Sequence, residues 1–150
     1  MTTEIKFRQA TLEDVDAIAA VETVCFAAPW SHQAFYGELA DNPYAKYIVT
    51  ELDGKIIGYA GVWIIFDEGH VTNIAIHPEY RGNYYGENMV RYLMKFARAC
   101  GAGEMTLEVR ASNTIAQALY KKLGFEARGR RKGYYSESKE DAIIMWKDEL

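Results

Sequence analysis

The residues VTNIAIHPEYRGNYYGENMVRYLMKFA, Val71 to Ala97, constrain the fold of this chain more than any others. An apolar strand, Val71 to Ile76, enters a polar turn holding Gly82 and Gly86, and a helix follows from about Glu87. A helix start leaves its first backbone N–H groups without intrahelical partners, pointing at whatever lies beyond the end. Those orphan donors and the helix dipole both favour an anion, and phosphate is the usual guest. Arg81 adds a full positive charge at the rim. The stretch predicts a phosphate-bearing cofactor seated at the N-terminus of this helix, while glycines between strand and helix also serve as plain turn residues.

The flanking segments alternate between strand and helix patterns. Ile5 to Gln9 reads as a short strand, and Thr11 with Asp14 three residues on resembles a capping box opening a helix to about Val24. Pro29 ends that helix, Ser31 caps a second one, and Trp30 with Phe35 are spaced as a hydrophobic staple. Ser31 to Ala40 is weakly apolar, which predicts a groove wall and not a core helix. Tyr44 to Leu52 and Lys55 to Phe66 read as strands joined by an Asp53-Gly54 hairpin turn. Gly58 and Gly61 suggest a bend, a bulge or a close backbone approach. Asp67-Glu68-Gly69 is read as a turn before a strand from His70 to Ile76.

Gly101 and Gly103 punctuate the end of the long helix, Met105 to Val109 is a strand, and Asn113 caps a helix to Leu123 with Gly124 just past its end. Phe125 to Arg128 and Asp141 to Trp146 are read as the last two strands, with RGRRKGYYSESKE an exposed hairpin between them. This order predicts one α+β sandwich over residues 1–150, a mixed sheet of about seven strands with about four helices. The unit from Val71 to Val109 is expected to be a parallel crossover.

Composition narrows the function. The chain has 150 residues, 17 basic and 21 acidic, for a formal net charge of −4, which argues against nonspecific nucleic-acid binding. Cys25 and Cys100 form no CxxC pair and no signal peptide is evident, so a cytoplasmic setting is expected. No apolar run approaches the ~20 residues of a membrane span. His32, His70 and His77 are scattered singly, without metal-ligand spacing, so no metal is expected.

The order of elements, the Arg81-to-Gly86 turn and LEVRASNTIAQALYKKLGF together resemble the GNAT superfamily of N-acetyltransferases over nearly the whole chain. Within it, CFAAPWS, NIAIHPEYRG, LEVRASN and the terminal DAIIM are similar to the RimI type. The resemblance implies acetyl-CoA as cosubstrate and, as acceptor, the N-terminal alanine amine of a small-subunit ribosomal protein. It implies that Arg81, Gly82, Asn83, Tyr84, Tyr85, Gly86 and Glu87 hold the phosphates. It also implies that Ile74, Ala75 and Ile76 offer backbone groups to the pantetheine arm and acetyl oxygen, with Asn113 joining them or acting as a cap alone. One position departs from the family pattern: Tyr84 replaces the first motif glycine. If that position needs φ > 0, a tyrosine costs roughly 1–2 kcal/mol, and its side chain is expected to point outward.

Acyl transfer from a thioester to an amine needs a neutral amine, a polarised carbonyl and a protonated leaving thiolate. An N-terminal α-amine, with an unperturbed pKa of about 7.7–8.0, loses its proton with modest help. The resemblance assigns Glu108 as general base and Tyr120 as general acid, seven residues past Asn113 on the same helix face. On residues alone, Glu108 reads as an ordinary strand residue and Tyr120 as a packing tyrosine, and it is the resemblance that promotes them. Trp30, Tyr36, Tyr134 and Tyr135 are candidates for the walls of a peptide groove. Arg128, Arg130, Arg131 and Lys132 read as a solvated hairpin, or as a contact for ribosomal RNA or an acidic substrate stretch. Asn73 is either a ladder residue or a groove contact. The same fold also serves lysine and small-molecule acceptors, and a degenerate turn would suit a non-catalytic acetyl-CoA sensor.

Overall fold

Alternation along the central strands decides which helix packs on which face. Successive side chains of a strand point to opposite sides, and in the computed structural model, which describes residues 4–150, Tyr47 and Val49 enter one core while Ile48 enters another. Tyr59 and Ala60, then Ala75 and Ile76, divide in the same way. The first core takes Val15, Ile18 and Val21 of α1 (Val15–Cys25) and Phe35 of α2 (His32–Ala40). The second takes Met89, Val90, Leu93 and Ala97 of α3 (Tyr85–Ala99) and Tyr120 of α4 (Thr114–Lys122). Two helices thus cover each face of one sheet.

That sheet holds β1 (Ile5–Gln9), β2 (Ala45–Leu52), β3 (Lys55–Ile65), β4 (Glu68–Ile76), β5 (Glu104–Arg110), β6 (Glu126–Tyr135) and β7 (Glu140–Lys147). Its order is β1-β2-β3-β4-β5-β7-β6, antiparallel throughout except where β4 meets β5. The mixed seven-stranded sheet, four α-helices and parallel pairing across α3 are as the sequence predicts.

Local chemistry explains the connections. Asp53 and Gly54 both adopt positive φ, 50° and 84°, as a two-residue hairpin turn requires. Asp14 Oδ2 accepts the Thr11 N–H at 2.7 Å and also binds Arg8 at 2.8 Å, so the residue that starts α1 is tied to β1. The Trp30 and Phe35 rings stand 5.5 Å apart, as a staple across the start of α2.

Four expectations are corrected. The β3–β4 turn is formed by Phe66, at φ 56°, with Asp67, so Glu68 and Gly69 already belong to β4. Helix α3 starts at Tyr85, which puts Gly86 inside its first turn. Helix α2 is a core helix despite its weak apolar face, because Phe35 alone is fully buried against Tyr47 and Tyr59. Strand β6 continues to Tyr135, through most of the expected hairpin, and pairs with β7 as far as Tyr135–Glu140. It is an edge strand exposed along nearly its whole length, so it carries no buried apolar alternation to read. Its charges are largely compensated within the chain: Arg128 pairs with Glu126 and Asp148, and Arg130 with Asp141.

Candidate active site

The site begins with a register change. β4 and β5 pair only from Glu68–Glu104 to His70–Thr106. In the β3–β4 ladder, Val62 faces Val71 and Gly61 faces Asn73, leaving Thr72 as an extra residue. Such a bulge bends its strand and increases the twist, and here it turns β4 away from β5. Gly61 is required opposite it: a Cβ there would stand 2.6 Å from the Tyr47 ring and 2.7 Å from Thr72 Oγ1. Gly58 is equally confined, since its Cβ would lie 2.9 Å from the Ala75 carbonyl. Of the readings the glycines allowed, both close backbone approach and a bulge are found, since the ladder to β2 also shifts register beside Gly58.

The gap between the diverging strands is a cavity of about 410 Å³, walled by Val71 to Ile74 of β4 and Leu107 to Arg110 of β5. Past His70, the β4 groups that face β5 have no ladder partner among the described residues. An extended amide-bearing arm fits such an edge, because it can take those hydrogen bonds as an added strand would.

Glu108 and Tyr120 both line this cavity. Leu107 and Val109 point into the α3/α4 core, so Glu108 between them points to the α1/α2 side. Its Oε1 lies 3.3 Å from Arg131 Nε on β6. The neighbouring Tyr134 hydroxyl is shifted to a higher pKa, by the Glu108 carboxylate first and by burial second. Tyr120 belongs to the opposite core and is held by the end of its helix: Phe125 N–H donates to the Tyr120 carbonyl at 2.9 Å, and Gly124, at φ 102°, donates to Lys121. This is a Schellman ending. Burial pushes the Tyr120 phenol up to about 12, with a smaller contribution from Tyr135, so it keeps its proton through neutral pH. Asn113 caps α4, accepting the Ala116 N–H at 3.1 Å, and its residue also borders the cavity.

The α3 turn lies beyond the other end of the cavity's β4 wall. Its first helical bond runs from Asn88 N–H to Tyr84 O, so the N–H groups of Tyr85, Gly86 and Glu87 precede the ladder. Tyr84 is in the left-handed region, at φ 62° and ψ 10°, and is 75% exposed. The position does need positive φ, and the side chain does point outward. Gly82, at φ 86°, has open space around its Cβ position. Arg81 is turned back, donating to the Ile76 carbonyl at 3.0 Å and reaching Cys25 Sγ at 3.5 Å. Glu87 pairs with Lys122 at 2.9 Å and with Arg91, joining α3 to α4, and Lys122 chiefly holds its carboxyl below the usual range. Ala75 and Ile76 are buried behind this turn, while Ile74 reaches the cavity. An exposed turn with free N–H groups and no bulky side chain folded over it fits a phosphate ester.

On the remaining side, Trp30 and Tyr135 line the cavity, whereas Tyr36 and Tyr134 stand outside its wall. Tyr135 is stacked under the Arg110 guanidinium at 3.9 Å, and Arg110 is paired with Glu137. Glu22, buried on α1, also lines the cavity and was not singled out from the sequence. A signal was available, since Glu22 follows Ile18 by four residues and so continues the apolar stripe of α1. Asn73 and Thr72 complete that wall. Among the described residues, no three His, Cys, Asp or Glu side chains converge as a metal site.

Residues 15–125 match the Acetyltransferase (GNAT) family. A Bacillus subtilis protein provisionally named as a ribosomal protein bS18-alanine N-acetyltransferase is 47% identical over 97% of both chains. The Escherichia coli ribosomal protein bS18-alanine N-acetyltransferase is 36% identical over 91% of this chain and 93% of its own. The crystal structure of the Escherichia coli ribosomal-protein-S18-alanine N-acetyltransferase superposes with a TM-score of 0.89, at 29% identity, covering 98% of this chain and 96% of that one. The chain accordingly belongs to the GNAT family of acetyltransferases and is an acetyl-CoA-dependent N-acetyltransferase.

Proposed function

We propose that this chain works in the cytoplasm, as one catalytic domain over residues 1–150, and acetylates the N-terminal alanine amine of a small-subunit ribosomal protein. The named activities of its Bacillus and Escherichia relatives support that acceptor. The observation that carries the chemistry is the sharing of one cavity by Glu108 and Tyr120 at the split in the sheet.

In this reading, Glu108 accepts the proton of the attacking α-amine, directly or through a water, as the new C–N bond forms. Free N–H groups along β4 hold the acetyl oxygen where negative charge develops. Tyr120 donates to the sulfur as the C–S bond breaks, so the proton leaving the amine and the one reaching the thiolate pass through different residues. The N–H groups of Tyr85, Gly86 and Glu87 bind the diphosphate of the donor, with Gly82, Asn83 and Tyr84 shaping the turn and Arg81 bracing it. Asn113 borders the pantetheine, while Trp30 and Tyr135 wall the acceptor, with Tyr36 and Tyr134 at its margin.

The test offers peptides bearing the mature ribosomal N-terminus, and the same peptides with a blocked terminus and free lysines, with acetyl-CoA. Mass spectrometry is expected to find one acetyl group on the free α-amine. Label on lysine alone would overturn this acceptor, and absence of all transfer would leave a binding protein in its place.

A further inference from the structure

Glu22 is a carboxylate only 3% exposed, at a wall of the reaction cavity. A group of this kind is kept in an interior by the hydrogen bonds it accepts. Its Oε2 accepts the Trp30 backbone N–H at 2.9 Å, and its Oε1 accepts the Tyr59 hydroxyl. Burial, and then the bond to Glu22, raise the pKa of Tyr59, so the phenol remains the donor.

Both partners lead to cavity walls. Trp30 lies in the connection between α1 and α2, which presents Phe26, Ala27, Ala28 and Trp30 to the cavity. Helix α1 closes with Phe26 N–H to Glu22 O, and α2 opens with Phe35 N–H to Ser31 O. From Ala27 to Trp30, among the described residues, the Trp30–Glu22 bond is the single hydrogen bond made by a backbone group. Through Tyr59, whose hydroxyl is 3.5 Å from Asn73 Nδ2, the same carboxylate is coupled to the β4 wall. Asn73 Oδ1 is fixed in turn by the Thr72 hydroxyl at 2.9 Å and the Tyr47 hydroxyl at 3.4 Å. These groups cluster on the α1/α2 side, from which Glu108 enters, and among the described residues none of them hydrogen-bonds to the α3 turn.

We infer that Glu22 is a positioning residue for the peptide acceptor: its two oxygens clamp the Phe26–Trp30 wall to β3 and, through Tyr59, align Asn73 across the cavity from it. The inference rests on the acceptor reading above. It assigns Glu22 to recognition of the peptide and not to binding of acetyl-CoA.

Steady-state kinetics with an alanine-initiated peptide, acetyl-CoA calorimetry and hydrogen exchange at the Trp30 amide test it on wild type, Glu22→Ala and Glu22→Gln. Loss of a bond to a charged acceptor predicts that Glu22→Ala raises the peptide KM about tenfold or more. Acetyl-CoA affinity is expected to stay within about twofold of wild type, with the Trp30 amide losing protection. Glu22→Gln keeps an oxygen for the Trp30 N–H and is expected to recover most of the peptide KM. An unchanged peptide KM in Glu22→Ala, or acetyl-CoA affinity falling in step with peptide affinity in both variants, overturns the assignment. Should Glu22→Ala not fold, Glu22→Asp decides: its shorter arm is expected to raise the peptide KM, and a wild-type value refutes the clamp. A wild type that acetylates no α-amine refutes the acceptor reading instead, and the Trp30 exchange still reports on the clamp.

Discussion

Glu108 and Tyr120 reach one cavity from opposite faces of the sheet. Tyr120 packs with Leu107 and Val109, and Glu108, between those two on β5, alternates away from them. In the proposed mechanism this keeps a proton acceptor on the peptide side and a proton donor on the thioester side apart, with the split between β4 and β5 as their meeting place.

Tyr120→Phe is expected to lower kcat by roughly two orders of magnitude, the usual contribution of a positioned acid, with acetyl-CoA affinity little changed. Because burial pushes the phenol up to about 12, Tyr120 is not expected to produce an alkaline limb near neutral pH. Single-turnover kinetics with calorimetry check both points, and near-normal turnover would remove Tyr120 from the chemistry.

Glu108→Gln is expected to lower kcat and to alter the shape of the pH–rate profile, while peptide KM changes less. Rate–pH profiles of the two proteins over the same range decide it. Superimposable profiles would leave Glu108 as no more than the partner of Arg131.

Tyr84 keeps a left-handed backbone with a full side chain, at a cost of roughly 1–2 kcal/mol that glycine avoids, less about 0.5–1 kcal/mol for the freedom glycine gains when unfolded. Tyr84→Gly is therefore expected to raise stability by about 0–1.5 kcal/mol. Because the ring points to solvent, acetyl-CoA binding should be unchanged or tighter. Chemical denaturation and calorimetry measure the two effects, and weaker binding would show that the phenol touches the donor.

Thr50 is fully buried, and its hydroxyl has no hydrogen-bond partner among the described residues. Thr50→Val removes the stranded polar atom at nearly constant shape and is expected to stabilise the fold by about 1 kcal/mol. A thermal melt reads this as a higher midpoint.

The Arg8 guanidinium, and with opposite sign burial, act on Asp14, whose carboxyl is held below its ordinary value of 3.8. A carboxyl depressed in the folded state stabilises above its unfolded pKa, and that stability is lost as the pH falls through the folded one. Asp14→Asn is expected to cost about 1.5–3 kcal/mol at neutral pH, and the difference from wild type should shrink below the ordinary value. Urea titrations across the acid range test the sign.

Much of this architecture is local and so was legible. Asp53-Gly54, Asn113, Gly124 and the Trp30–Phe35 staple each act through a few neighbouring residues, and each stands where the sequence puts it. The extent of β6 was not legible, because an edge strand facing water has no buried side to impress a pattern on it. The Arg131–Glu108 pair joins strands far apart in the chain, and no local spacing encodes it. Thr72 as a bulge was equally silent, although Gly61 across the ladder was noticed. Glu22 lay in plain view on an apolar stripe, where a single acid is easily taken for a solvated one.

The three residue pairs that tie β4 to β5 make the sheet two panels stitched along a short seam. The width of the reaction chamber is then governed by the angle between the panels, and a change in crossover length or seam packing far from any reacting atom would alter which acceptors fit.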